Sequence, residues 1–254
     1  MRRMRSPNPP RTLNFIVANW QEAPRFGIFK PYVMIRAAGI CGVILAAGAS
    51  TRMGRDKALL PWPPVADGAP AVNTFLGAII DLLQAECDLV LVVAGQNAEN
   101  LQLVVDAHNA FLVVNPKPER GQFSSIQIGL REVLNRGRDA AFLAPVDRPP
   151  VLPGTVQALR TAFLAADPEV WAVVPELSRG TEKLHGHPIL IGREMMESFL
   201  RAPEAAVARD IEHEHQQHVR YVPVADERIA ANIDTPEEYE RLLRAETIPA
   251  ETSF

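Results

Sequence analysis

From Gly42 onward the chain alternates short apolar runs with longer stretches patterned at helical spacing. Runs rich in Val, Leu, Ile and Ala occur at Gly42–Ala46, Leu89–Val93, Ala110–Val114, Ala140–Val146 and Val170–Val174. Between them lie helical patterns at about Thr74–Ala85, Ala98–His108, Ser124–Leu134 and Thr155–Ala165. The apolar runs are continuous rather than alternating, which means burial on both faces of each strand. Such strands, separated by helices, predict a three-layer α/β/α sandwich around a mostly parallel, Rossmann-like sheet. No internal repeat or low-complexity tract interrupts the pattern. The Pro-rich stretch Trp62–Pro70 reads as a loop on the rim of the sheet.

Composition narrows the class of protein. An apolar share of 47% and a charged share of 22% over 254 residues suit a globular chain with a full core. The net charge of −4 argues against a broad nucleic-acid surface, which wants a basic face. No apolar run approaches the roughly 20 residues of a membrane helix. Cys41 and Cys87 stand alone in apolar surroundings, so buried reduced thiols in a cytoplasmic protein are expected, not a zinc site or disulfide framework. Residues 1–36 differ from the rest: seven Arg or Lys face one acid, Glu22, and prolines break any periodic pattern. They read as a poorly ordered basic extension, natural or from an over-extended start, ahead of a single domain over residues 37–254.

Ligands of a parallel sheet bind outside the carboxyl ends of its strands. At that end of the first strand the chain reads Leu45-Ala46-Ala47-Gly48, then Arg52, Gly54 and Lys57. Small residues leave main-chain N–H groups open to a ligand, and two cations five positions apart suit a triphosphate. The loop is not a Walker A motif, because Arg55 and Asp56 follow Gly54, and no G-x-G-x-x-G is present. Asp147 ends the apolar run Ala140–Val146 just before Arg148-Pro149-Pro150, which places an acid at the same edge. It also fits a plain turn-forming residue. Thr235-Pro236-Glu237-Glu238 reads as a helix start with a capping box, leaving the carboxylate of Asp234 free. A simple helix-dipole charge is the alternative for Asp234.

The loop Leu45-Ala-Ala-Gly-x-Ser-x-Arg-Met-Gly-x-x-Lys57 resembles the signature of the MobA-like nucleoside triphosphate transferases. Within that group it is most similar to molybdenum cofactor cytidylyltransferases. Pro145-Val-Asp-Arg-Pro149, Gly186-His-Pro188 and Asn232-Ile-Asp-Thr-Pro-Glu-Glu-Tyr239 follow in the same order, so the likeness spans about residues 40 to 245. The resemblance implies a sheet of the nucleotide-diphospho-sugar transferase type. It also implies transfer of a nucleotidyl unit from an NTP to the terminal phosphate of the molybdenum cofactor pterin, with release of pyrophosphate. Lys57 and Arg52 would serve the triphosphate, while Asp147 and Asp234 would hold Mg²⁺, or Mn²⁺ in its place. Leu-Ala-Ala-Gly, rather than Leu-Ala-Gly-Gly, accompanies cytidylyl transfer in the group, and Ala47 stands at the deciding place. CTP is therefore the expected nucleotide.

Two further segments carry open readings. Gly121, Ser124 and Ser125 open a helical run and fit either a cradle for a base or phosphate, or a serine N-cap without a ligand. The resemblance lays this loop over the nucleotide base. His185-Gly186-His187-Pro188 fits a metal pair poorly, with no acid at ligand spacing. The resemblance puts Gly186 and His187 beside the acceptor pocket. The polar run Glu212–His218 reads as a solvated helix face. A phosphorylated small molecule is the expected second substrate, with a molybdoenzyme or its chaperone as a further partner. Rival readings are GTP as donor, a sugar or alcohol phosphate as acceptor, and a non-catalytic protein that binds and delivers nucleotide or cofactor. A nucleotide-sugar glycosyltransferase is disfavoured, because Asp147 lacks the second acid of an Asp-x-Asp metal motif.

Overall fold

The computed structural model describes residues 39–64, 72–203 and 205–247. The expected basic extension over residues 1–36 and most of the Pro-rich loop lie outside them. The chain runs through β1 (Ile40–Ala46), a one-turn 3-10 segment (Lys57–Leu59), β2 (Pro61–Trp62), β3 (Asn73–Thr74), α1 (Phe75–Gln84) and β4 (Leu89–Ala94). It continues through α2 (Ala98–Ala107), β5 (Phe111–Val114), α3 (Gln122–Asn135), β6 (Ala140–Pro145) and α4 (Pro153–Leu164). The last third supplies β7 (Ala172–Arg179), β8 (Glu182–His185), β9 (Ile189–Gly192), α5 (Arg193–Arg201), α6 (Ala208–Glu214), β10 (Val219–Pro223) and α7 (Pro236–Thr247).

Seven strands line up in the order β10-β7-β9-β6-β1-β4-β5, and β8 pairs with β7 beside this path. All neighbours on the path are parallel except at β9, which runs antiparallel to both β6 and β7. The sheet is therefore mixed but mostly parallel, and helices cover both faces. β1 is buried at every position, as its unbroken Ile-Cys-Gly-Val-Ile-Leu-Ala sequence requires of a central strand. Its alternate side chains feed two cores. Ile40, Ile44 and Ala46 pack with α1, α2 and α4, whereas Cys41, Val43 and Leu45 pack with α3 and α5.

Helix α3 lies close on the sheet: a Cβ at Gly129 would come 2.7 Å from Val43. Both cysteines are free, and burial pushes the Cys41 thiol up to about 12 and raises that of Cys87, so neither is a ready nucleophile. None of the described helices is long and apolar enough to cross a membrane.

The register places the site. Leu45 of β1 stands beside Pro145 of β6, and Val146 N–H donates to the Leu45 carbonyl at 3.1 Å. The small-residue loop and Asp147 thus leave neighbouring parallel strands at one carboxyl edge. A separate apolar cluster of Met53, Leu60, Phe75, Ile233 and Tyr239 then fastens that loop to the start of α7. The Tyr239 hydroxyl donates to the Pro61 carbonyl at 3.0 Å.

Candidate active site

The loop after β1 is held from beneath by polar contacts the sequence reading did not single out. Asp56 caps the 3-10 turn by accepting from Ala58 N–H at 3.0 Å. Its other oxygen accepts from the Asn97 side-chain amide at 2.7 Å, and the same amide reaches the Ala46 carbonyl at 3.0 Å. Ser50, at a positive φ of 49°, accepts from Lys57 N–H at 3.1 Å. Gly48 and Ala49 remain exposed above this base, and a Cβ at Gly48 would touch nothing. Main-chain groups of the loop therefore face open space, as its small residues lead one to expect. Gly54, at φ 72°, takes the left-handed turn that glycine favours.

Lys57 is buried, and its ammonium donates to Asp234 across 177 positions of sequence. Arg52, largely exposed, approaches the other oxygen of the same carboxylate at 3.2 Å, and the Asn232 amide donates to it at 2.6 Å. The hydrogen bond from Lys57 is the largest cause holding the Asp234 carboxyl below its ordinary value, so it is ionised at neutral pH. The capping box at α7 forms as expected. Glu238 accepts from Thr235 N–H at 3.0 Å and Asp234 N–H at 2.6 Å, while Glu238 N–H reaches the Thr235 hydroxyl at 3.4 Å. The expected freedom of the Asp234 carboxylate does not hold: with the capping done by Thr235 and Glu238, it is engaged by Lys57 and Arg52 instead.

Asp147 and Asp234 lie at the same edge because the chain is stitched there. Ile233 N–H donates to the Asp147 carbonyl at 2.8 Å. Arg148 donates to the carbonyls of Ile229 and Ala231, each at 3.2 Å, and so fixes the segment that leads to Asp234. Arg148 was not among the residues singled out from the sequence, although its place next to Asp147 could have marked it.

Beside this edge opens a cleft of about 850 Å³, lined by Leu45, Gly121, Arg148, Gly186, His187 and Glu212 among others. Lys57, Asp147 and Asp234 are outside its lining, so the cleft adjoins the cation–carboxylate edge on the side of β6, β9 and β7. Gly121, at φ 94°, is the N-cap of α3, which begins at Gln122 rather than at the serines. Ser124 and Ser125 are buried in the first turn, where both hydroxyls accept from the Asn115 amide, at 2.9 and 3.0 Å. The expected serine cradle is corrected accordingly: these hydroxyls hold the β5–α3 loop, and Gly121 meets the cleft.

Gly186 is a packing requirement, since a Cβ there would lie 1.9 Å from the Ile229 carbonyl oxygen. Gly186→Ala is expected to cost about 3 kcal/mol, the upper end for overpacking, because backbone cannot yield as a side chain can. A thermal melt lowered by several degrees checks it; an unchanged melt contradicts the close approach. His187 follows with its Nδ1 buried and without a hydrogen-bond partner among the described residues, and burial, with Arg148 nearby, pushes its pKa down to about 3. It is a neutral imidazole. The Glu212–His218 run departs from a plain solvated face: His218 stacks on Trp171 at 3.9 Å between centroids, His215 packs on the same ring, and Glu212 lines the cleft. Among the described residues no group of three or more His, Cys, Asp or Glu could hold a metal.

A mostly parallel sheet with a cationic small-residue loop and two acids at one carboxyl edge defines an α/β protein of the nucleotidyltransferase fold. The chain belongs to the family of the MobA-like NTP transferase domain, whose model matches residues 42–219. A probable molybdenum cofactor guanylyltransferase of Mycobacterium avium (strain 104) is 29% identical over 136 residues, which is 54% of this chain and 62% of that protein. One of the same description from Mycobacterium tuberculosis (strain ATCC 25177 / H37Ra) is 32% identical over 133 residues, 52% of this chain and 60% of that protein. The chain thus spans somewhat less than two thirds of these relatives. Among solved structures, Rv0371c from Mycobacterium tuberculosis H37Rv is 28% identical with a TM-score of 0.66, over 82% of this chain and 99% of that one. A manganese complex of Rv0371c is similar with a TM-score of 0.63 and 25% identity, over 83% of this chain and 100% of that one.

Proposed function

We propose that this chain transfers a nucleotidyl unit from an NTP to the terminal phosphate of a molybdenum cofactor pterin, releasing pyrophosphate. The observation that carries the reading is the edge where Lys57, Arg52 and Asp234 meet while Ile233 ties Asp147 to the same place. The chemical obstacle is the attack of one anion on another, and phosphoryl-type transfer is catalysed mainly by positioning and charge neutralisation. Lys57, buried and pre-positioned, supplies fixed positive charge, and exposed Arg52 is able to follow the phosphates. The loop from Ala47 through Gly48 to Gly54, with Leu45, Ala46 and Gly121 beside it, receives the nucleotide. His187, neutral, faces the acceptor with a hydrogen-bonding nitrogen.

Mg²⁺ fits these residues, because it takes one or two carboxylates plus phosphate oxygens and water rather than an all-protein cage. Asp147 and Asp234 would hold it, and Mn²⁺ would substitute. When bound, the ion neutralises phosphate charge. The low pKa of Asp234 keeps that carboxylate charged for it.

CTP is the proposed donor, on the residue Ala47. The names of the relatives favour GTP as a second reading. Incubation with CTP and GTP together, Mg²⁺ and the purified pterin cofactor separates them. CMP-linked product by mass supports the first, GMP-linked product the second, and absence of pyrophosphate release removes both in favour of a delivery protein. A cytoplasmic place and a molybdoenzyme or chaperone as recipient accompany this reading.

A further inference from the structure

The floor of the cleft crosses five neighbouring strands through Leu45 of β1, Pro145 of β6, Ile189 of β9, Val174 of β7 and Tyr221 of β10. Four strand spacings of about 4.8 Å make that floor about 19 Å long. Its two ends offer different chemistry. At the β1–β6 end stands Arg148, next to the edge where phosphates are proposed to react. At the β10 end the Tyr221 ring is stacked on His185, 4.1 Å between centroids and 17° from parallel, which presents a flat aromatic surface. Helix α6 leads through one 3-10 turn into β10 and brings Glu212 into the cleft wall.

Glu212 accepts no hydrogen bond from any described residue, unlike Glu176, which binds Lys183 and His185 nearby. Burial pushes its carboxyl up to about 7, with Arg209 acting the other way. A half-buried acid that accepts no hydrogen bond from the described residues is costly to keep. In a cavity wall, such a group is available to a ligand.

We infer that Glu212 is the recognition residue of the acceptor cleft, accepting paired hydrogen bonds from the donor edge of a planar heterocycle laid against Tyr221. The edge required is a ring N–H beside an amino group, as in an aminopyrimidinone. A carboxylate takes two parallel N–H donors, which adds geometric specificity to affinity. The inference rests on the proposed function, where the acceptor is a phosphorylated pterin: its phosphate would lie toward Arg148 and its ring toward Glu212. A sugar phosphate presents no such edge.

Pterin and lumazine serve as probes, because lumazine carries a carbonyl where pterin carries the amino group. Binding is read by the fluorescence of each compound, on the full chain and on Glu212→Gln and Glu212→Asp, with thermal melts to confirm folding. The full chain is expected to prefer pterin by at least about tenfold, as a site left with an unmatched buried acceptor rejects the analogue. Glu212→Gln should bring the two within about threefold of each other, and Glu212→Asp should keep part of the preference. Equal binding of both probes by the unaltered chain, or a full preference retained in Glu212→Gln, overturns the inference. Pyrophosphate release is followed on the same preparations. Normal release without a pterin preference sinks the inference alone, whereas a pterin preference without transfer to any phosphorylated acceptor sinks the proposed function alone.

Discussion

Lys57→Ala is expected to lower the rate of nucleotidyl transfer by about 10²-fold or more while the fold survives. The charge lost is pre-positioned by the Asp56–Asn97 base of its loop and by burial, so solvent cannot replace it at equal effect. The fold should survive because Asp234 keeps Arg52 and Asn232 as partners. Acid sensitivity should change as well. A carboxyl whose folded pKa is depressed contributes stability that is present above its unfolded value, near 3.8 for Asp, and lost as pH falls through the folded value. Without Lys57 the Asp234 carboxyl titrates closer to its ordinary value, so stability falls at neutral pH and the further loss on acidification through the carboxylate range becomes smaller. Pyrophosphate release, circular dichroism and a carboxyl NMR titration read the three effects. Turnover near that of the unaltered chain would show that the loop is positioned for something else.

Asp147→Asn and Asp234→Asn should each reduce turnover by about 10²-fold, and the double variant should be little worse than the poorer single one. Two ligands of one ion act as a unit, so losing the second after the first removes little that is left. An amide still offers an oxygen but no charge, and high Mg²⁺ or Mn²⁺ should recover part of the activity. Losses that multiply cleanly would separate the two acids. So would a metal-bound crystal structure with either carboxylate more than about 5 Å from the ion, far beyond the ~2.1 Å of coordination.

The sheet was legible in the sequence where burial is two-sided. β1, β4 and β6 carry unbroken apolar runs, because parallel central strands meet helices on both faces. On the β10 side the run Val170–Val174 announced β7, but β9 and β10 were not legible. β10 reads Val-Arg-Tyr-Val-Pro and is only partly covered, and β9 is four residues long behind Pro188. Helix α5 buries Met195, Met196 and Phe199, but it spans nine residues and has no side-chain cap to announce it. The start of α7 was legible because Thr235 and Glu238 form a local device. At the site, the common edge of Lys57 and Asp147 followed from strand direction, while Asp234 was placed by its capped helix start and by the resemblance. The pairing of Lys57 with Asp234 did not, since no local pattern couples positions so far apart. The setting of Ser124 and Ser125 was illegible for a related reason: their partner, Asn115, sits outside α3.

The stitch made by Arg148 and by Ile233 N–H has a consequence for how this chain is able to change over time. It closes the neck of a long excursion that leaves the sheet edge after Asp147 and returns just before Asp234. Within it β9 pairs with β6 and carries β7 and β10 outward as part of the sheet, while the turns between these strands and the wall that carries Glu212 lie beyond that frame. Exposed turns of the excursion are open to exchange while the stitch holds the spacing of the two acids. New acceptors are thereby open to trial while the reacting end keeps its geometry.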